Sequence, residues 1–201
     1  METLRIHHTD LEKLREIIGT YIGTKTASSL SMLLNESVTH RIRRIMEIGS
    51  LDIESVVPVF DIIPMCSVYL KGNGDVRIGL MFFLPSSAAR KLASKLLGVQ
   101  TMKRLSSLGR SSILEAGNIM AGSFFNALSD GTGFRIDLTT PGFGADTFKA
   151  LIEPSIMDMS SSSNSMIVAD AELRGFDSDI VVDILVFCTI SDAQKLIAFQ
   201  K

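Results

Sequence analysis

The chain has 201 residues, 46% of them apolar, which is material for one large domain or two small fused ones. Twenty basic and 22 acidic side chains leave a net charge of −2, so there is no bulk electrostatic case for nucleic acid or an anionic membrane, although a local basic patch can hide in a neutral total. Mean hydropathy is +0.29, yet the most apolar runs, 78–84 and 180–190, end at Pro85 or contain Asp183, far short of the ~20 residues that cross a bilayer. Residues 1–10 hold charges and histidines but no apolar h-region, so no secretory signal is read and a soluble, cytoplasmic protein is expected.

The first helix is predicted from Thr9-Asp10, whose side chains can cap it, through the stripe Leu11, Leu14, Ile17, Ile18, Tyr21 and Ile22. His40–Ile48 reads as a strand. Cys66–Lys71 and Val76–Leu84 flank Gly72-Asn73-Gly74-Asp75, a hairpin signal because Gly and Asn tolerate positive φ. Pro85-Ser86-Ser87 opens a short helix over 88–97, stopped by Gly98. A second long helix is predicted from Ser106 or Ser107 to Ser129, ending at Asp130-Gly131. A half-buried strand follows at Phe134, Ile136 and Leu138, then a second hairpin of 166–174 and 180–188, then a short helix from Ser191-Asp192. Ser160–Ser163 is predicted to be a mobile loop.

The order therefore repeats. Ala89-Arg90-Lys91-Leu92 matches Ala193-Gln194-Lys195-Leu196 at an offset of 104, and Gly23 matches Gly122 at an offset of 99. We read residues about 9–98 and about 105–201 as two copies inside one domain spanning 1–201. The expected fold class is α+β: duplicated helix–strand–hairpin–helix units, related by a pseudo-two-fold axis, sharing one antiparallel-rich sheet system with two long helices on one face.

Familiar chemistry is missing. His7, His8 and His40 are the only histidines, and no zinc-type ligand spacing, phosphate-binding glycine loop, nucleophile elbow or thiol-phosphatase loop occurs. Cys66 and Cys188 could form a buried disulfide or, as expected in a reducing compartment, stay as core thiols. What stands out is the second long helix. At 100° per residue Ser111, Glu115, Asn118 and Gly122 lie at about 0°, 40°, −20° and 20°, a narrow polar stripe. Gly117, Asn118 and Gly122 together cost this helix roughly 2–3 kcal/mol of propensity. Either the glycines permit close packing, or the stripe has a function.

The stripe is similar to a known motif. Ser111, three residues, Glu115, two residues, Asn118, then twenty-two residues and Pro141 resembles the signature of the CheC/CheX/FliY response-regulator phosphatases, and the stretch 114–122 resembles that family's helix. The two-copy layout is similar to the CheC type. The resemblance implies hydrolysis of the aspartyl-phosphate of a CheY-type response regulator. Asn118 would orient the attacking water, Glu115 would pair with a lysine of the regulator, Ser111 and Gly122 would support the contact face, and Pro141 would shape the strand end. It implies no cofactor bound by this chain, Mg²⁺ being carried by the phosphorylated partner. In the first copy the corresponding positions are Glu12, Glu16, Gly19, Gly23 and Ile42, or Thr20 in place of Gly19 if the alignment slips by one. No amide is present there, so this copy is expected to be inactive. A monomer is expected, because duplication supplies within one chain the pairing that a single-copy relative finds in a dimer. The alternatives are a non-catalytic adaptor for a CheD-type receptor-modifying enzyme, or a structural protein related to the flagellar switch.

Overall fold

A computed structural model of the chain describes residues 6–49, 52, 55–56, 62–160 and 165–199. The strands are β1 (Val38–Gly49), β2 (Met65–Gly74), β3 (Ile78–Pro85), β4 (Ile136–Leu138), β5 (Gly142–Asp146), β6 (Ser165–Gly175) and β7 (Val181–Thr189). They form one seven-stranded antiparallel sheet in the order β1-β6-β7-β3-β2-β4, with β5 also paired to β2. β3 and β7 meet at its centre, where Met81 lies opposite Leu185. Outward from that pair each side has a hairpin strand and then strand material from the other half of the chain: β6 and β1 on one side, β2 with β4 and β5 on the other.

The two faces of the sheet follow from alternation along each strand. Leu80 and Phe82 of β3 and Ile184 and Val186 of β7 point to one face. There they meet α1 (His8–Tyr21), a π-helical turn (Ile22–Thr26), α2 (Ala27–Leu34), α3 (Ser86–Leu96), α4 (Ser107–Thr132) and α6 (Ile190–Phe199). Met81, Phe83, Leu185 and Phe187 point to the opposite face and pack on Ile152, Ile156 and Met159 of α5 (Phe148–Ser160). Cover on both sides explains why 78–84 and 180–190 are almost continuously apolar.

The α+β class, the large antiparallel sheet and the long helices on one face agree with the sequence reading. Several local expectations are corrected. The first helix begins at His8 with His7 as its N-cap and no side-chain cap, so Thr9 and Asp10 lie inside it. It does not stop near Ile22 but passes through the π turn into α2, which ends at Asn35 in the left-handed region. α4 runs past Asp130-Gly131 to Thr132 and stops at Gly133, whose φ of 80° releases the chain from the helix. Gly72 is not a turn residue: it sits in β2, where a Cβ would lie 2.5 Å from both Phe125 and Ile136. β4 starts at Ile136 rather than Phe134.

β5 and α5 had no counterpart in the reading. Pro154 lies inside α5 and argues against a helix by propensity; apolar burial and ion pairs of Asp158 with Lys71 (2.6 Å) and Arg77 (3.1 Å) hold it nonetheless. Residues 161–163 of the predicted serine loop fall outside the described residues, and Ser160 ends α5. Cys66 pairs with Leu84 and Cys188 with Ile78 on the same strand β3, six residues apart, or about 20 Å. They are free thiols, and burial raises the pKa of both.

Glu36, buried at the α2–β1 turn, ties three elements together. Its carboxylate accepts from Lys95 of α3 (2.7 Å) and from the hydroxyl and backbone N–H of Ser178 in the β6–β7 turn. Burial alone would raise its pKa, but these donors outweigh it and hold the carboxyl below its ordinary value of 4.5. The stability it contributes is therefore complete above pH 4.5 and is lost as pH falls through the lowered folded value. Glu36→Gln should lower stability at pH 7 by about 1.5–3 kcal/mol and flatten the acid limb below pH ~4.5, as read from urea midpoints measured between pH 3 and pH 7.

Candidate functional site

α4 begins at Ser106, whose Oγ accepts from the N–H of Gly109 (3.1 Å). Its apolar side buries Ile113, Ala116, Met120, Ala121, Phe124 and Leu128. Gly117 decides how deep the helix sits, since a Cβ there would come within 2.6 Å of Val68 in β2. Farther along, Phe125 covers Gly72, and the Tyr21 hydroxyl occupies the space where Gly131 would carry a side chain. The packing explanation for glycine is thus correct for Gly117 and incorrect for Gly122, around which a Cβ would meet nothing within 4 Å.

With the helix seated this way, Ser111, Glu115, Asn118 and Gly122 run along its solvent crest. Ser111 and Glu115 are exposed, while Asn118 and Gly122 are half-buried. The Ser111 hydroxyl donates to the Ser107 carbonyl (3.1 Å). Among the described residues, the side chains of Glu115 and Asn118 have no hydrogen bond or ion pair. A carboxylate and a carboxamide one helical turn apart thus remain available to a partner. One flank of the crest carries Leu108 and Ile119, 63% and 39% exposed, which the sequence reading did not single out. They were detectable as apolar positions at helical spacing on the polar side. The other flank is β5: Val68, which touches Gly117, lies opposite Phe143. Pro141 stands between β4 and β5, beside Gly142, which pairs with Tyr69. The structure thus places all five motif positions along one helix and its neighbouring strand junction.

The first-copy positions have different surroundings. Glu12, Glu16, Gly19 and Thr20 line an open cleft between α1 and β1, together with Arg15, His40, Arg41 and Ile42. A Cβ on Gly19 would lie 3.3 Å from Ile42, and one on Gly23 would lie 2.4 Å from the His40 ring. Arg15 donates to the Ile42 carbonyl (3.1 Å). Gly23 is therefore covered where Gly122 is open. Among the described residues, no group of three or more His, Cys, Asp or Glu could hold a metal ion, and no helix is long and apolar enough to cross a membrane.

A family model described as the CheC-like family matches residues 108–144, from the first turn of α4 through Asn118 and Pro141 into β5. That segment is similar to the CheC-like family. Over a longer span the chain is 27% identical to the CheY-P phosphatase CheC of Bacillus subtilis (strain 168), across 178 residues that cover 84% of this chain and 81% of that protein. Its fold is that of FliY from Thermotoga maritima (TM-score 0.77, 16% identity, 98% of each chain). It is also that of CheX as crystallised in a CheX–CheY–BeF3–Mg²⁺ complex from Borrelia burgdorferi (TM-score 0.53, 17% identity, 92% of this chain and 99% of that one). The resemblance read from the residues is borne out.

The two central glycines of α4 should respond oppositely to a methyl group. Gly117→Ala should lower stability by about 1–3 kcal/mol, because the new Cβ forces Val68 and β2 apart. Gly122→Ala should raise it by up to about 1 kcal/mol, because the space is open and alanine is the better helix former. Urea denaturation of the two variants checks both signs.

Proposed function

We propose that this chain hydrolyses the aspartyl-phosphate of a CheY-type response regulator, with the crest of α4 laid into the regulator's phosphorylation site. The observation that carries the proposal is the pair Glu115 and Asn118, one turn apart at the solvent-facing centre of α4 and without partners of their own among the described residues. The similarity to a protein named as a CheY-P phosphatase, and to CheX seen in complex with CheY, supports it.

The chemistry needs little beyond positioning. A carboxamide does not titrate near neutral pH, so Asn118 is no general base; it donates and accepts at once and can hold a water in line with phosphorus. The water oxygen forms the new P–O bond while the bond to the aspartyl oxygen breaks. The aspartate leaves as a carboxylate, and the water's protons go to the released phosphate and to solvent. Holding the reacting atoms about 3–3.5 Å apart converts a bimolecular step into an effectively unimolecular one. Glu115 pairs with a lysine of the regulator and sets the docking register, and the regulator's own carboxylates carry Mg²⁺. Ser111 extends the contact face, Gly122 keeps it low, and Pro141, with fixed φ and no N–H, shapes the β4–β5 junction beside it. Residues about 9–98 are the degenerate copy, in which Glu12, Glu16 and Gly19 provide no water-orienting amide.

A second reading, a motor-switch-type structural protein, draws on the closer backbone agreement with FliY than with CheX. Substitution at the crest separates the two. Asn118→Ala should fold normally, gain about 0.5 kcal/mol of stability, still bind phosphorylated regulator, and lose roughly 10²–10³ in turnover. Glu115→Ala should weaken binding instead. Decay of ³²P-labelled regulator, together with titration of the same proteins, measures both quantities. Undiminished turnover in Asn118→Ala would overturn the role given to Asn118, and a wild-type protein without turnover would leave the structural or adaptor reading in place.

The first copy is tested separately. Glu16→Ala should leave turnover within about twofold of wild type, because the cleft between α1 and β1 has no carboxamide to orient water. Loss of most of the activity in the same decay assay would assign that cleft a part in the reaction.

A further inference from the structure

The near-neutral total charge conceals a one-signed surface. Between Asp75 and Glu115 the chain contains no acidic residue, but it contains Arg77, Arg90, Lys91, Lys95, Lys103, Arg104 and Arg110. Arg77 and Lys95 are engaged, by Asp158 and Glu36 respectively. The side chains of Arg90, Lys103, Arg104 and Arg110 make no ion pair or hydrogen bond among the described residues, and the last three residues are exposed. The fold gathers these four at the junction of α3 and α4. The first turn of α4 lies on α3, where a Cβ on Gly109 would be 3.4 Å from that of Ala93. The intervening loop is tied back by the Met102 N–H donating to Ser94 Oγ (3.0 Å). Arg90 and Arg110 both lie near the Cys66 thiol, where they offset part of the rise that burial imposes.

This placement does not serve the helices. Neither α3 nor α4 has an acidic residue in its first turn, and cations at the positive end of a helix dipole are opposite to what the dipole favours. Leu108, 63% exposed, lies between Arg104 and Arg110 in the chain. An apolar side chain bordered by unpaired cations suits a protein surface better than a polyanion. The charge is also confined to one end of the α4 crest, followed by Glu115 and then by neutral Asn118 and Gly122.

We infer that the Arg90–Lys103–Arg104–Arg110 junction is a second docking contact, which receives an acidic surface of the phosphorylated regulator and sets the direction in which α4 lies across it. The inference rests on the proposed phosphatase reading. A regulator whose phosphorylation site holds Mg²⁺ builds that site from carboxylates, so acidic groups border it. Arg110 lies eight residues from Asn118, about 12 Å along the helix axis, close enough to meet them while Glu115 takes the lysine. A helix laid in the reverse direction would bring the cations away from the acids and lose the pairing. Cations at the rim act mainly on encounter, so their effect appears in kcat/KM and is screened by salt.

The experiment uses the full chain carrying Lys103→Glu, Arg104→Glu and Arg110→Glu together, and a milder Lys103→Gln/Arg104→Gln variant as a folding-neutral companion. The substrates are the CheY-type regulators of the source genome, phosphorylated with acetyl phosphate, at about 20 mM and about 500 mM salt. The charge-reversed protein should lose about tenfold or more in kcat/KM at low salt with kcat within about twofold of wild type, and the difference should close at high salt. The milder variant should fall between the two. Equal kcat/KM for wild type and both variants at low salt overturns the inference while leaving the phosphatase reading intact. So does a result in which only retention on phosphatidylglycerol vesicles changes. If wild type has no turnover, the phosphatase reading itself fails. The docking contact is then judged by titration with beryllofluoride-activated regulator: a tenfold weaker complex for the charge-reversed protein supports it, and unchanged affinity overturns it.

Discussion

The contact of Gly117 with Val68 is the point from which the geometry of the candidate site follows. Any side chain at 117 would lift α4 from β2, because the Cβ position lies 2.6 Å from Val68. Close seating fixes the rotation of the helix as well as its depth: with Gly117 facing the sheet, residue 118 turns toward solvent beside it. Gly72 under Phe125 and Gly131 against Tyr21 fix the distal half of the same helix. α4 is thus held against a strand that is itself hydrogen-bonded on both sides, by β3 and by β4 with β5. A crest mounted on such a base holds its backbone, and so the starting points of its side chains, in a fixed place, which is what catalysis by positioning requires of a scaffold.

The two halves of the chain share a layout but not a surface. In the first, β1 is a single twelve-residue strand with a register shift between Ile42 and Arg44, and its Ile42 and His40 lie against the helix at Gly19 and Gly23. In the second, the corresponding strand material is divided into β4, of three residues, and β5, of five, with Pro141 between them. The open space around Gly122 belongs to the half with the divided strand. A difference in strand continuity therefore accompanies the difference between a covered helix and an open one.

Most of the architecture was legible because the central strands and the long helices obey simple periodicities. Ile78–Leu84 and Val181–Cys188 are unmistakable as strands, and the caps at Ser106 and Gly98 punctuate helices as expected. The missed elements are those in which local preference and tertiary gain disagree. α5 contains Pro154, and it is a helix because Ile152, Ile156 and Met159 cover an otherwise bare sheet face. The π turn at Ile22–Thr26 has no signature in the sequence; there the helix surface carries Gly23, beside the His40 ring. Gly72, legible only as a flexible residue, proved to be a place where another side chain passes.

The spacing of Ser111, Glu115, Asn118 and Gly122 places these residues on one helical face whatever the surroundings, because 3.6 residues per turn is a property of the helix itself. That much the sequence determined, along with the alternation that builds the sheet. It could not determine which way the face points, because Gly117 and Gly122 look alike until Val68 is found beside one and open space beside the other. Nor could it show that cations spread from 90 to 110 share one junction, since that depends on α4 folding back onto α3 at Ala93. Periodicity is a local consequence of backbone geometry. Exposure and the meeting of distant charges depend on how separate elements pack, and only the tertiary structure decides that.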